Sequence, residues 1–245
     1  QGPVLLNVGA VRSGWFLDVI ATDIEIFMKP GRGVSEPEKN SEPVLILDRL
    51  HIGLKPLTLL LGKLGLSLDI TLYGGAISGD VAMSSKEIDV DLQTKGVNVA
   101  LHPMLPDKYG LNPEGKLVGQ VRLAMPANGN FENFEGDVDL KLENASFAES
   151  NIMGMQKIPQ TNFSDAGIKF VASEGEMKVE KFGLKGEDFS VGITGDVKLQ
   201  KSFSRSSLNA NIDLSMSEKF EGGLDGLVTS MLANSRQSEG KYGWT

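Results

Sequence analysis

The chain has 245 residues, of which 40% are hydrophobic and 23% charged, and this is the composition of a folded globular protein. Its net charge of -8 argues against nucleic acid as a partner, because nucleic-acid binding usually depends on a basic patch. The chain has no cysteine, which excludes a disulfide framework, thiol catalysis and cysteine-ligated metal. No helical membrane span is predicted either, because no apolar run reaches about 18 residues.

Both ends of the chain are expected to be truncated. Gln1-Gly2-Pro3 resembles the remnant of a protease-cleavage linker, so we expect the natural protein to continue upstream. At the other end, residues 240–245 resemble the start of a further strand. Residues 4–245 are therefore predicted to form a single elongated β-rich domain.

The first part of the chain alternates apolar and polar residues with a period of two, which is typical of strands that bury one face. A loop is predicted at residues 30–43, where proline, glycine, glutamate, serine and lysine dominate without periodicity. Residues 56–62 predict a short helix, since Pro56 suits a first helical turn and Gly62 a stop. The sequence Tyr73-Gly74-Gly75 predicts a hairpin turn. The predicted strands are 15–29, 44–54, 66–72, 76–83 and 87–99.

Residues 100–116 interrupt the alternation with three prolines and two glycines. They predict a connector that contains one helical turn. A soft domain boundary is predicted within it, at residues 101–116.

The second half of the chain is more regular, with glycines between the apolar and polar alternations. One long helix is predicted at residues 218–236, because Phe220, Leu224 and Leu227 begin an apolar face of helical spacing. Its three glycines weaken it by about 1 kcal/mol each, so this helix must be held by packing against an end or edge of the sheet. The predicted strands are 117–125, 136–147, 167–172, 176–184, 188–200 and 207–216.

Motifs that carry chemistry are scarce. The sequence has no nucleophile elbow, phosphate-binding loop or dinucleotide fingerprint, so the protein is predicted not to be an enzyme and to need no cofactor or metal. His51 and His102 are far apart, and neither has a partner at metal-ligand spacing. The pairs Asp89/Asp91 and Asp137/Asp139 each project two carboxylates to one side of a strand. They fall on the polar positions of the alternation, which predicts a solvated outer face.

The apolar face of the predicted sheet is the remaining candidate for function. It is either the core of a closed sandwich or barrel, or an open groove that holds acyl chains or a protein partner. The pattern alone favours a closed core, because most apolar faces of globular proteins are core. The candidate residues of this face are Leu68, Ile70, Leu72, Val90, Leu92, Val121, Leu123, Val138, Leu140, Leu142, Val179, Val191, Ile193 and Leu199.

These elements predict a mainly β protein. Its core would be a long curved antiparallel sheet, either an open groove or a partly closed barrel, with one short and one longer α-helix.

Four segments of the chain carry a family resemblance: Asp48-Arg49-Leu50, the stretch from Lys55 to Gly62, the stretch from Leu72 to Gly79, and the connector from Gly110 to Gly119. These segments resemble the type II secretion system protein N (GspN) of deltaproteobacteria and spirochaetes. That family is in turn similar to the AsmA-like proteins, whose repeats the region from Gly136 to Leu199 resembles. The resemblance covers roughly residues 44–200, and its motifs are structural.

The resemblance implies a periplasmic domain, tethered to the inner membrane through a segment outside this chain. It further implies a non-enzymatic component of a type II secretion system that docks other secretion components. AsmA-like relatives handle lipid in an open apolar groove, so the alternative is a lipid-binding or lipid-transfer protein with phospholipid as its partner. The family offers no catalytic residues to carry over.

Overall fold

The computed structural model of the protein describes residues 4–14, 17–28, 43–152, 156–221, 236–238 and 241–244. The predicted linker remnant and most of the predicted loop at 30–43 therefore lie outside the described residues. The first eight strands are β1 (Val4–Ser13), β2 (Asp18–Met28), β3 (Leu45–Lys55), β4 (Leu64–Leu72), β5 (Gly75–Met83), β6 (Glu87–Asn98), β7 (Pro113–Pro126) and β8 (Glu135–Phe147). The later strands are β9 (Ser150–Ile152), β10 (Gln156–Ile158), β11 (Thr161–Ser173), β12 (Glu176–Gly186), β13 (Phe189–Lys198), β14 (Ser207–Met216), β15 (Arg236–Ser238) and β16 (Lys241–Trp244).

Among the described residues, helical structure is limited to short pieces that join or follow the strands. The α-helices are α1 (Pro56–Leu59), α2 (Met104–Tyr109) and α3 (Glu218–Glu221), and the 3-10 turns are Val99–Leu101, Phe131–Asn133 and Phe203–Arg205. The short helix predicted after Pro56 is present as α1. Where a long helix was predicted at residues 218–236, the structure describes the four-residue α3, and residues 222–235 lie outside the described part of the chain. The predicted last residue of that helix, Arg236, belongs instead to β15.

Fourteen strands form one antiparallel sheet in the order β1-β2-β3-β4-β5-β6-β7-β8-β11-β12-β13-β14-β16-β15, and β9 pairs with β10 in a separate hairpin. Each strand from β1 to β8, and from β11 to β14, is hydrogen-bonded to the next long strand along the chain. In the part of the chain that the structure describes, the two end strands of the order do not pair with each other, so this sheet is not closed into a barrel. The mainly β, antiparallel architecture predicted from the alternation is confirmed.

Some strands differ from their predicted bounds. β1 was not predicted, since Gly9 interrupts its apolar residues, and β11 begins six residues before the predicted start at 167. A bulge between Phe163 and Asp165 breaks the alternation at the start of β11, which hid that end of the strand from the period-two pattern. β7 begins at Pro113, inside the predicted connector, and pairs directly with β6.

The pairing register gathers the apolar positions on one side of the sheet, which we call the apolar face. Side chains directly opposite each other in paired strands share a face, so each chain of partners makes a row across the sheet. The first row is Ala21, Leu50, Ile70, Ile77, Thr94, Gly119, Leu140, Ile168, Phe182, Ile193 and Ile212. The second row is Val19, Ile52, Leu68, Gly79, Leu92, Val121, Val138, Phe170, Val179, Gly195 and Ala210.

A third row completes the apolar face. It is Leu54, Leu66, Val81, Val90, Leu123, Gly136, Ala172, Met177, Val197 and Leu208. Across the three rows Thr94 is the single polar side chain, and it is buried. The apolar face is therefore continuous across the long strands from β2 to β14.

Gly119 lies on this face at a position where a side chain would not fit. Its φ of 137° lies outside the range that L side chains adopt readily, and an added Cβ would overlap the carbonyl oxygen of Asp139 on β8. The close approach of the two backbones depends on the missing side chain.

We expect Gly119→Ala to lower the free energy of unfolding by about 1–3 kcal/mol, since the strained backbone and the overlap act together. Urea unfolding would measure the change. Gly192→Ala is the matched control, because Gly192 is also in a strand but an added Cβ there meets no atom within 4 Å. The control should be neutral or slightly stabilising, and an equal loss in both variants would contradict the assignment.

An apolar face as the candidate functional site

Ten of the fourteen candidate residues lie in the three rows. Leu72, Leu142 and Val191 lie on the same side of the sheet, each two residues from a member of the first row. Leu199 follows β13 and packs in one cluster with Val197. Leu72, Val138 and Leu199 are buried, with 3–7% of their surface exposed. The other eleven are half-buried, although they lie on long strands in the body of the sheet. The sequence pattern placed these residues on one face, but it could not tell how far each would be covered.

The middle of the apolar face is open in the part of the chain that the structure describes. Leu140, Ile168 and Ile193 are half-buried, and Phe182 between them in the same row keeps 46% of its surface exposed. Packing one sheet face against a second layer would bury such side chains, as in a β-sandwich. Most of the buried apolar residues that the structure describes occur in four separate clusters, and Val138 is the one that lies outside them.

An aromatic cluster closes one end of the face, where β7 turns into β8. Phe131 and Phe134, from the connection between these strands, pack against the apolar face, with ring centroids 6.1 Å apart. Phe203, from the connection between β13 and β14, lies 5.7 Å from Phe131. The Phe131 N–H also donates to the Lys201 carbonyl oxygen, at 3.3 Å. This contact joins two connections that are several strands apart, and we call Phe131, Phe134 and Phe203 the aromatic plug.

A second aromatic series lies at the opposite end of the same strands. Phe147 and Phe163 meet edge to face at 5.3 Å, Phe163 and Phe189 at 6.5 Å, and Phe189 stacks on Phe220 at 5.1 Å. Phe220 belongs to α3, whose first turn is fixed by Ser217: its hydroxyl oxygen accepts from the Phe220 N–H and donates to Asp188. The short helix α3 therefore packs on the end of the sheet through Phe220.

At this same end of the sheet, Tyr73 between β4 and β5 packs against the start of β3. Its ring is 9% exposed and its hydroxyl oxygen accepts a hydrogen bond of 3.0 Å from the Ile46 N–H. Burial raises the pKa of the Tyr73 phenol. His102 from the connector packs on the Tyr73 ring with centroids 5.7 Å apart, which is a structural contact. His51 lies elsewhere, on the polar face between two carboxylates.

The polar face carries a network of ion pairs. Lys63 bonds Asp89 at 2.8 Å, Arg122 bonds Asp137 at 3.1 Å and Lys169 bonds Glu180 at 2.9 Å. Each predicted carboxylate pair thus has one member that holds a cation across the strands. The described residues include no group of three or more His, Asp or Glu side chains arranged to hold a metal ion. Exposed pairs of this kind contribute little to stability individually.

No helix among the described residues is long and apolar enough to cross a membrane. Comparisons of the chain with protein-family models, with curated proteins and with solved structures found no match. The class of protein that the described residues define is a mainly β protein, with one long antiparallel sheet that is not closed into a barrel and that carries a continuous apolar face. The resemblance to the secretion protein family stays a prediction.

One ion pair on the polar face gives a testable dependence on pH. A hydrogen bond from Lys181 holds the pKa of Asp165 below its usual value of 3.8. Because the folded-state pKa is the lower one, the stabilisation is present above about pH 3.8 and is lost as pH falls through the folded-state value. Asp165→Asn should lower stability by less than about 1 kcal/mol at neutral pH, because both side chains are largely exposed.

The difference in free energy of unfolding between the wild type and Asp165→Asn should become smaller in acid. Urea unfolding at a series of pH values would measure it. In a Lys181→Gln background Asp165→Asn should have little further effect. A difference that is constant with pH, or unchanged in the Lys181→Gln background, would contradict the pairing.

Proposed function

We propose that this protein is a non-enzymatic binding protein whose apolar face holds the acyl chains of phospholipid. The observation that carries the proposal is the half-exposed middle of the face, where three nearly all-apolar rows cross the long strands without a covering layer in the described residues. A stable soluble monomer rarely exposes so large a contiguous apolar surface. A ligand that covers it removes that cost.

The chemistry of the face matches a hydrocarbon chain. Each methylene group buried contributes about 0.8 kcal/mol, so affinity grows with the length of chain in contact. Within the rows there is no charged side chain, and Thr94 is buried. A polar head group therefore finds no partner there, and it would remain in solvent beyond the face while the acyl chain lies on it.

The two aromatic groups support this placement of the ligand. The aromatic plug and the Phe147–Phe220 series cover opposite ends of the strands from β8 onward. The exposed middle between them contains Leu140, Ile168 and Phe182. A bound chain that runs across the strands would lie between the two groups.

We expect Phe182→Asp to abolish co-purified phospholipid while leaving the protein folded, because Phe182 is already 46% exposed. Native mass spectrometry of protein purified under mild conditions, with lipid extraction in parallel, would measure the loading. The matched control is Val171→Asp on the polar face, where Val171 is 39% exposed and lies opposite Lys178. Wild-type protein without lipid, or equal loading in both variants, would overturn the proposal.

A second candidate function is docking of another component of a type II secretion system, at the inner membrane on its periplasmic side. The sequence resemblance suggests it, and the edge strand β1 favours it. In the described part of the chain β1 is paired on one side only, it carries Arg12 as its single charged residue, and Leu6 and Val11 are 62% and 64% exposed. Edge strands are usually protected by charge, so this one suits strand addition by a partner.

A cysteine placed in β1 should capture that partner. Because the chain has no cysteine of its own, Leu6→Cys creates a single reactive site on the exposed edge. In cells that express the full-length protein, a short cysteine-directed crosslinker should join it to a secretion component. Leu208→Cys, 66% exposed near the other end of the sheet, is the control. Crosslinks of equal yield from both sites, or none to any secretion component, would count against docking at β1.

A further inference from the structure

The connection between β3 and β4 is an exposed apolar turn, which we call the leucine turn and define as residues 56–62. Its four leucines are Leu57, Leu59, Leu60 and Leu61, with 76%, 50%, 84% and 79% of their surfaces exposed. None of the residues of α1 is buried. Single exposed leucines are common on protein surfaces, but four within five residues make a local apolar surface that needs an explanation.

Several polar groups of the leucine turn are hydrogen-bonded within the turn or to the strands that flank it. The Thr58 hydroxyl donates to the Lys55 carbonyl oxygen at 2.6 Å and accepts from the Gly65 N–H at 2.8 Å. The N–H groups of Leu61, Gly62 and Lys63 donate to carbonyl oxygens within the turn, at 3.0 Å each. A segment that enters hydrocarbon must satisfy its polar groups internally, and these groups of the turn meet that condition.

The leucine turn is continuous with the apolar face. Leu64, the first residue of β4, is 39% exposed and lies on the same side of the strand as Leu66 and Leu68. Leu17, in the neighbouring connection between β1 and β2, is 68% exposed at this same end of the sheet. Farther along this end the aromatic plug covers the face. The face residues nearest the turn, Leu54 and Leu66, are half-buried. The leucines therefore project beside a part of the face that the aromatic plug does not cover.

Two lysines stand at the base of the turn. Lys55 pairs with Asp80 and Lys63 with Asp89, both on the polar face, and the Asp89 carboxylate raises the pKa of Lys63. Apolar tip residues above charged groups match the profile of a lipid surface: the leucines would reach the acyl chains, and the paired lysines and aspartates would stay at the polar level. A protein partner would instead need a pocket shaped for this convex tip.

We propose that the leucine turn inserts into the surface of a phospholipid bilayer and brings the open part of the apolar face against the lipid. The argument for insertion uses the leucine turn alone. A further consequence, the passage of an acyl chain between the bilayer and the apolar face, rests on the proposed function. Leu64 and Leu66 provide an apolar surface between the leucine turn and the apolar face.

The missing cysteines allow a site-specific test with the whole chain. Leu60→Cys and, as control, Leu101→Cys would each carry a polarity-sensitive fluorophore; Leu101 is 56% exposed in the 3-10 turn at the other end of the sheet. On addition of phosphatidylcholine vesicles containing phosphatidylglycerol, the label at position 60 should shift to the blue and be quenched by brominated acyl chains. The label at position 101 should not change. No response at position 60, or equal responses at both, would overturn the proposal.

A second variant tests whether the leucine turn binds a bilayer or a second copy of the chain. Leu60→Ser combined with Leu61→Ser should fold normally, since both residues are exposed, and should weaken vesicle binding on the order of tenfold per leucine. Unchanged vesicle binding together with loss of a concentration-dependent dimer would instead assign the turn to a second copy of the chain.

Co-purified phospholipid distinguishes the two proposals. Lipid retained by this double variant, with vesicle binding lost, supports insertion and leaves the apolar face as the ligand site. Vesicle binding by a wild-type protein that carries no lipid would overturn the proposed function alone. If lipid co-purifies with the protein but the fluorophore at position 60 does not respond to vesicles, the insertion proposal alone would be overturned.

Discussion

The structure depends on one constraint, which is that the period-two alternation stays in register from strand to strand. Shifting any strand by one residue would move its apolar side chains to the polar face. Bulges interrupt the pairing of β6 with β7, β7 with β8 and β12 with β13, yet the apolar residues return to the same face after each one. The rows, the ion pairs of the polar face and the aromatic clusters all follow from this register.

In the described residues the apolar face of the long sheet is only partly covered, and most of the covering side chains lie at the ends of the strands. The aromatic plug, the Phe147–Phe220 series and the packing around Tyr73 place large side chains where the backbone turns. The middle of each long strand then relies on its neighbours for half-burial. A ligand that binds there would stabilise the folded state by mass action, so stability and function involve the same surface.

Strand pattern predicted much of this fold, because the alternation is local and the twelve long strands are nearly all visible in it. It missed β1, where Gly9 interrupts the pattern, and the first residues of β11, where a bulge hides the period. The openness of the face could not be predicted, since the same alternation is compatible with a closed sandwich. Nor could the aromatic plug, because Phe131 and Phe203 are 72 positions apart and meet through the fold alone.

Lipid binding and partner docking make different demands on the molecule, and different parts of the surface meet them. An acyl chain needs a continuous apolar surface without charge, which the three rows provide. A strand-adding partner needs free backbone groups at an edge, which β1 provides. The leucine turn needs neither a pocket nor an edge, and its internal hydrogen bonds suit a surroundings without water. Because the turn runs through Leu64 into the apolar face, one proposed chemistry, contact with hydrocarbon, would account for both its exposed leucines and the half-buried rows.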